Sequence, residues 1–343
     1  MNPPLQGIRI VEFEGLGPGP LAGRMLADMG AEVTVIARLQ RTAVADQLGG
    51  SKASPLRRGK NIVPLDLKQP DDLAEAMRLV DAAAGLIEGN RPGVMERLGL
   101  GPADCAARNP ALVYGRMTGW GQTGPLAQTA GHDLNYVALT GMLALSARPG
   151  QMPMIPPTVL GDAGGALGLA FGMVCAMLDA RATGRGRVVD GAIVDTVAML
   201  GSIALWVRNN GQLDATDPSP FHQSPFYDVY ACADGGHITI GALEPQFYAL
   251  LVTKLGLEDI DPARQYDRDT WPALKARFTA LFLSQPRAHW DSLLGGTDVC
   301  YAPVLTIAEA ARHPHNAARG LFVEHEDGTL DTVGAPRFLA PDV

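Results

Sequence analysis

Ile8-Arg9-Ile10-Val11-Glu12-Phe13 is followed by the turn Gly15-Leu16-Gly17-Pro18-Gly19-Pro20, the stretch Leu21 to Met29 and a second apolar run, Glu32 to Ala37. Strand, Gly/Pro turn, helix and strand make a βαβ unit. Further strand patterns at Asn61 to Leu65, Gly85 to Glu88 and Leu112 to Arg116 alternate with helical stretches such as Asp71 to Ala83. That alternation predicts a parallel sheet with helices on both faces. Beyond it, the sequence predicts two long apolar helices, Asp162 to Asp179 and Asp190 to Val207. A polar, Pro-rich segment over 209–225 reads as a linker, and a hairpin over Phe226 to Ile240 turns at Asp234-Gly235-Gly236. The fold class is therefore α/β, a Rossmann-like large domain with a smaller α+β domain. The large domain spans 1–208 and the small one 226–304, with a return linker over 305–319.

The 343 residues are 47% hydrophobic and 19% charged, enough to bury a large core without metal or disulfide staples. With 28 Lys and Arg against 36 Asp and Glu, the formal charge is −8, so the whole chain has no electrostatic reason to seek nucleic acid or an anionic membrane. Any anionic ligand must be met by local cations. Cys105, Cys175, Cys232 and Cys300 lie far apart with no zinc spacing, which suits reduced thiols in a cytoplasmic or matrix-type compartment. His313-Pro314-His315 has no adjacent carboxylate or Cys cluster, so no metal site is expected. The apolar run Gly164 to Leu178 is shorter than the roughly 20 residues a bilayer span needs and reads as a buried helix.

The turn Gly15 to Pro20 approximates the dinucleotide fingerprint, but Pro20 stands at the third glycine and two prolines remove amide donors. Arg38 stands where NAD enzymes carry an acid for the ribose. It either meets a phosphorylated ribose, as in NADP or coenzyme A, or is a solvated surface arginine. Arg57, Arg58, Lys60, Lys68, Arg91 and Arg97 are further cations suited to a ligand with several phosphates, or to solvated faces. His132 precedes a helical stretch, where the dipole disfavours its cation and leaves it able to act as a base. Asp162 stands just before Gly164 and Gly165, either as an N-cap or as a reactive carboxylate beside open helix-start amides. Glu244 precedes Pro245 and carries the same N-cap alternative.

Glu12 to Pro20 with Leu26 to Ala31, Leu65-Asp66-Leu67-Lys68, Arg91 to Gly101 and Arg116 to Pro125 together resemble the family III coenzyme A transferase superfamily. Gly131 to Tyr136 and Leu243 to Tyr248 are similar to its α-methylacyl-CoA racemase branch. The resemblance covers nearly the whole chain. It implies an interlocked homodimer whose large domain is completed by 320–343, acyl-CoA thioester as substrate, and no cofactor beyond the coenzyme A of the substrate. It implies that Arg38, Leu65, Asp66, Leu67, Lys68, Gly89, Asn90, Arg91, Arg97, Gly131, Asp133, Leu134, Asn135 and Tyr136 hold the nucleotide, phosphates and thioester. His132 and Asp162 would then exchange the α-proton on opposite faces through an enolate, with Glu244 of the partner's small domain supporting His132. The rival within the superfamily is a CoA transferase using Asp162 as nucleophile. Ala163, Asn90 and Pro156 to Val159 depart from the racemase pattern, and the stretch between Arg38 and Lys60 is lengthened, so the acyl group stays open.

Overall fold

Arg9–Phe13 (β1), Glu32–Ala37 (β2), Lys60–Pro64 (β3), Gly85–Glu88 (β4), Val113–Thr118 (β5) and Val188–Ala192 (β6) form one sheet in the order β3-β2-β1-β4-β5-β6. Every neighbouring pair is parallel, with Ile10 opposite both Val33 and Gly85. The computed structural model describes residues 2–40, 47, 54–148, 150–213 and 218–340, so most of the lengthened stretch after Arg38 lies outside the described residues.

Side-chain alternation along these strands feeds two cores. Ile10, Val33, Ile87, Val113 and Met117 face Pro18–Asp28 (α1) and, later in the chain, Gly164–Thr183. Val11, Phe13, Ile36, Leu86 and Tyr114 face Pro70–Asp81 (α2), Val94–Arg97 (α3) and Pro102–Arg108 (α4). The strand order reverses between β1 and β4, and open α/β sheets bind ligands beyond the carboxyl ends of the strands at such a point.

The chain divides into two compact units, Met1–Ser146 with Met154–Gly201 and Glu324–Val343, and Ala147–Pro153 with Ser202–Val323. The C-terminal segment is held to the first unit by charge: Arg24 and Arg58 both reach Asp331, at 2.9 and 2.6 Å, and Arg58 also pairs with Asp28. The 209–225 and 305–319 segments group with the second unit, residues 214–217 lying outside the described ones. In that unit Tyr227–Ala231 (β7), His237–Gly241 (β8) and Tyr301–Val304 (β9) form an antiparallel sheet, the hairpin turning where Asp234-Gly235-Gly236 predicts. Phe226, Tyr248, Trp271, Phe278 and Phe282 fill its core.

Two expectations about helices change. Asp190 lies in strand β6, because the Val188-Val189 run pairs with the free edge of β5. Helices Ile193–Leu200 and Ser202–Asn209 follow separately. The long apolar helix Gly164–Thr183 is only partly buried. Leu169, Met173 and Met177 face the sheet, while Leu167, Phe171, Cys175 and Leu178 form an exposed stripe in which Phe171 is 70% exposed. With the turn before it, this segment is long and apolar enough to cross a bilayer by length and composition.

Candidate active site

Asp133–Leu139 (α5) begins directly after His132, whose own backbone N–H donates to Asn135 Oδ1 at 3.0 Å. His132 is exposed, whereas Asp133 is 7% exposed and turned inward. Asp133 Oδ2 accepts from the Thr158 N–H at 3.0 Å, and Oδ1 from the Asp162 N–H at 2.8 Å. Residues Val159–Ala163 wind as a single π-helical turn before the helix Gly164–Thr183 (α6), and Thr158 enters that turn at φ +65°. Such turns are uncommon and gather at functional positions. Thus His132 and Asp162, thirty residues apart in sequence, are brought to one corner by the residue between them.

Asp162 is half-buried, and its carboxyl is raised above the usual carboxylate range by burial and by the charge of Asp133, with His132 pulling the other way. The β1–α1 turn closes the corner. Gly17, at φ +66°, lies so near that a Cβ there would stand 3.3 Å from Asp162 Oδ2. On the opposite side the Tyr136 ring occupies the space left by Gly119 and Gly131 and meets Trp120 edge to face at 4.8 Å. Its hydroxyl donates to the Gly131 carbonyl.

The glycines after Asp162 do not open the site. Gly165 lies against Ile193 and Gly164 against Leu200, so their missing side chains admit the helix Ile193–Leu200 (α7). The Asp162 amide is taken by Asp133, which removes it as an anion donor. The first-turn amides that stay without helical partners beside His132 are those of α5.

The expected phosphate cations divide. Arg57 pairs with Glu14, Arg58 with Asp28 and Asp331, and Lys60 with Glu12, so these three hold the fold. Arg38, Lys68, Arg91 and Arg97 are exposed beyond the carboxyl ends of β2, β3 and β4, with no ion pair among the described residues. The Gly89–Arg91 loop is braced from beneath: buried Glu88 accepts from the Asn90 N–H at 2.6 Å and from Arg116 Nε at 3.0 Å, and Arg116 also reaches Glu96 at 2.8 Å. Leu65 sits in the core, Asp66 accepts from the Lys68 N–H, Leu67 is half-buried and Leu134 is exposed.

Glu244, in the second unit, precedes the helix Pro245–Lys254 (α9) but makes no side-chain cap, leaving an exposed carboxylate. Tyr266 and Cys300 lie near it; both are pushed up, first by burial and then by the Glu244 charge. Among the described residues no group of three His, Cys, Asp or Glu side chains could hold a metal. Gly17, Thr158 and Gly161 carried no sequence signal for their place in the site; only Gly17, inside a Gly/Pro turn, was conspicuous at all.

Residues 5–341 match CoA-transferase family III. The chain belongs to this family. It is 40% identical to the human α-methylacyl-CoA racemase over 98% of its own length and 86% of that protein. It is 32% identical to a probable fatty acyl-CoA transferase of Mycobacterium tuberculosis, over 87% of this chain and 82% of the relative. A crystal structure of that protein, Rv3272, matches with a TM-score of 0.81 at 30% identity, covering 98% of this chain and 93% of the other.

Proposed function

We propose that the protein is a racemase that interconverts the epimers of 2-methylacyl-CoA thioesters. The observation that carries this reading is the joining of two different acid/base groups, His132 and Asp162, at one corner by Asp133, in a chain 40% identical to a racemase along almost its whole length. Inversion at carbon requires one group to remove the α-proton and another to return a proton to the opposite face. The C–H electron pair passes into an enolate in between. Burial suits Asp162 to this work, because it raises the carboxyl above the usual carboxylate range and so eases its use as acid in one direction and base in the other. The enolate oxygen is met by the α5 first-turn amides. The reaction so written uses no resident metal or redox cofactor.

Coenzyme A lies in this reading along the carboxyl ends of β1 to β4, its phosphates near Arg38, Lys68, Arg91 and Arg97 and its thioester near Gly131 to Tyr136. Leu65 to Leu67, Gly89 and Asn90 contribute backbone or small polar groups. A homodimer completes the site, Glu244 of one protomer supporting His132 of the other. The uncovered Leu167–Phe171–Leu178 stripe on α6 is the kind of apolar face a second copy buries.

The test is incubation of one epimer of a 2-methylacyl-CoA in D2O without acceptor acid. Deuterium uptake at the α-carbon with epimerisation is expected. No exchange, with acyl-CoA formed once a carboxylic acid is added, would make Asp162 a transferase nucleophile instead.

A further inference from the structure

We infer that Asp133 is a positioning residue for the proton transfer, clamping the π-helical turn so that the Asp162 carboxyl is held in one place beside His132. The inference rests on the racemase reading.

Three features of the turn require the clamp. Thr158 begins it with a positive φ, a conformation that a β-branched residue adopts only when its surroundings hold it there. Asp162 lies within it, four residues on, and a single carboxylate spans the two amides, at 3.0 and 2.8 Å. A carboxylate presents acceptors on both of its oxygens, whereas Asn must turn an NH2 toward one N–H. Gly161 shows how tightly the clamp is fitted, because a Cβ there would stand 2.4 Å from Asp133 Oδ1. No room exists for the clamp and a side chain at 161 together.

The same carboxylate sets the electrical surroundings of Asp162. From α5 the facing groups are His132, Asp133 and Tyr136. The β1–α1 turn brings only Gly17, and α7, packed on the π-helical turn, carries Asp195 at an exposed position. Asp133 is thus the negative neighbour, and it opposes ionisation of Asp162 while His132 favours it. One residue fixes both where the Asp162 proton sits and how readily it leaves.

Two substitutions separate these contributions. Asp133→Asn removes the charge and one acceptor, and Gly161→Ala displaces the carboxylate while keeping its charge. Misplacing a reacting group by an ångström costs on the order of 100-fold, so both variants are expected to lower kcat by about 10- to 100-fold with KM changed far less. In Asp133→Asn the acid limb of kcat/KM should move to lower pH, because loss of a negative neighbour lowers the proton affinity of Asp162. In Gly161→Ala it should move less. A 13C NMR titration of the aspartate carboxyls, with Asp162→Asn to assign the resonance, reads the same shift without any substrate. A lowered Asp162 titration in Asp133→Asn supports the inference even if the wild-type protein exchanges no α-proton, an outcome that would sink the racemase reading alone. An unchanged titration would overturn the inference, as would wild-type exchange fully retained in Asp133→Asn.

Discussion

Helix α1 touches an acid at each of two glycines, and the two acids have opposite fates. Near its middle, Gly23 leaves room for Glu12, whose Oε2 would stand 1.9 Å from a Cβ at that position. At its start, Gly17 leaves room for Asp162. Burial raises both carboxyls, Glu12 to about 7. Glu12, however, is neutralised within the fold by Lys60 at 2.6 Å, and Lys60 also donates to the Pro20 carbonyl at 2.7 Å. Among the described residues Asp162 has no such lysine or arginine, and it faces a second carboxylate. A buried acid given a cation stiffens the sheet and α1, whereas one left beside another acid keeps its proton exchangeable and suits catalysis.

The largest expected effect separates the two acids by activity. Asp162→Asn should lower α-proton exchange by on the order of 10²- to 10⁴-fold, as loss of a general acid/base does, while thermal unfolding stays near wild type. Lys60→Met should do the reverse. Removing one partner of a buried pair costs about 3–5 kcal/mol, and chemical denaturation would read it. The pH dependence has a definite sign. The folded-state pKa of Glu12, about 7, lies above the ordinary glutamate value of 4.5, so the folded protein holds the extra proton between those values and stability falls as pH rises through them. Without Lys60 the fall should extend to higher pH and so be larger in total. A Lys60→Met protein equally stable at pH 5.5 and 8 would remove Glu12 as the cause.

The difference between these acids was only half legible in the sequence. The βαβ opening, the hairpin in the second unit, the histidine at a helix start and the aspartate before an apolar helix all follow from local pattern, which short-range periodicity and turn chemistry report well. What escaped depends on partners distant in the chain. Arg57, Arg58 and Lys60 read as phosphate cations because Glu14, Asp28, Glu12 and Asp331 are remote from them in sequence. The π-helical turn has no composition of its own; its amides are satisfied from Asp133, 25 and 29 residues away. Gly164 and Gly165 read as leaving helix-start amides open, but helix α7 packs against both. Asp190 looked helical because its strand is short and ends at the start of a helix.

Smaller effects sharpen the contrast at the two glycines. Gly23→Ala should cost mainly stability, because the added methyl collides with the Glu12 carboxylate. Gly17→Ala puts a side chain at positive φ, a strain of about 1–3 kcal/mol, and crowds Asp162 Oδ2 without touching an ion pair. Its loss should therefore fall on kcat, by on the order of 10-fold, a consequence of a displaced reacting group. A larger loss of stability in Gly23→Ala and a larger loss of activity in Gly17→Ala would uphold the division; the reverse pattern would break it.

Glu244 supplies the smallest expected change and a third environment, an exposed carboxylate spent, among the described residues, neither on a cap nor on an ion pair. If it supports the His132 ring, Glu244→Gln keeps an acceptor oxygen and loses only the charge that raises the basicity of the ring. Exchange should then fall by about 10-fold or less, below the loss on removing His132, whose proton transfer is worth on the order of 10²- to 10⁴-fold. The fall should be asymmetric. The epimer whose proton His132 removes should slow more than the epimer served by Asp162, and α-deuteration rates measured from each pure epimer would read the difference. Equal slowing from both epimers would place Glu244 in binding the substrate, and an unchanged rate would take it out of the site.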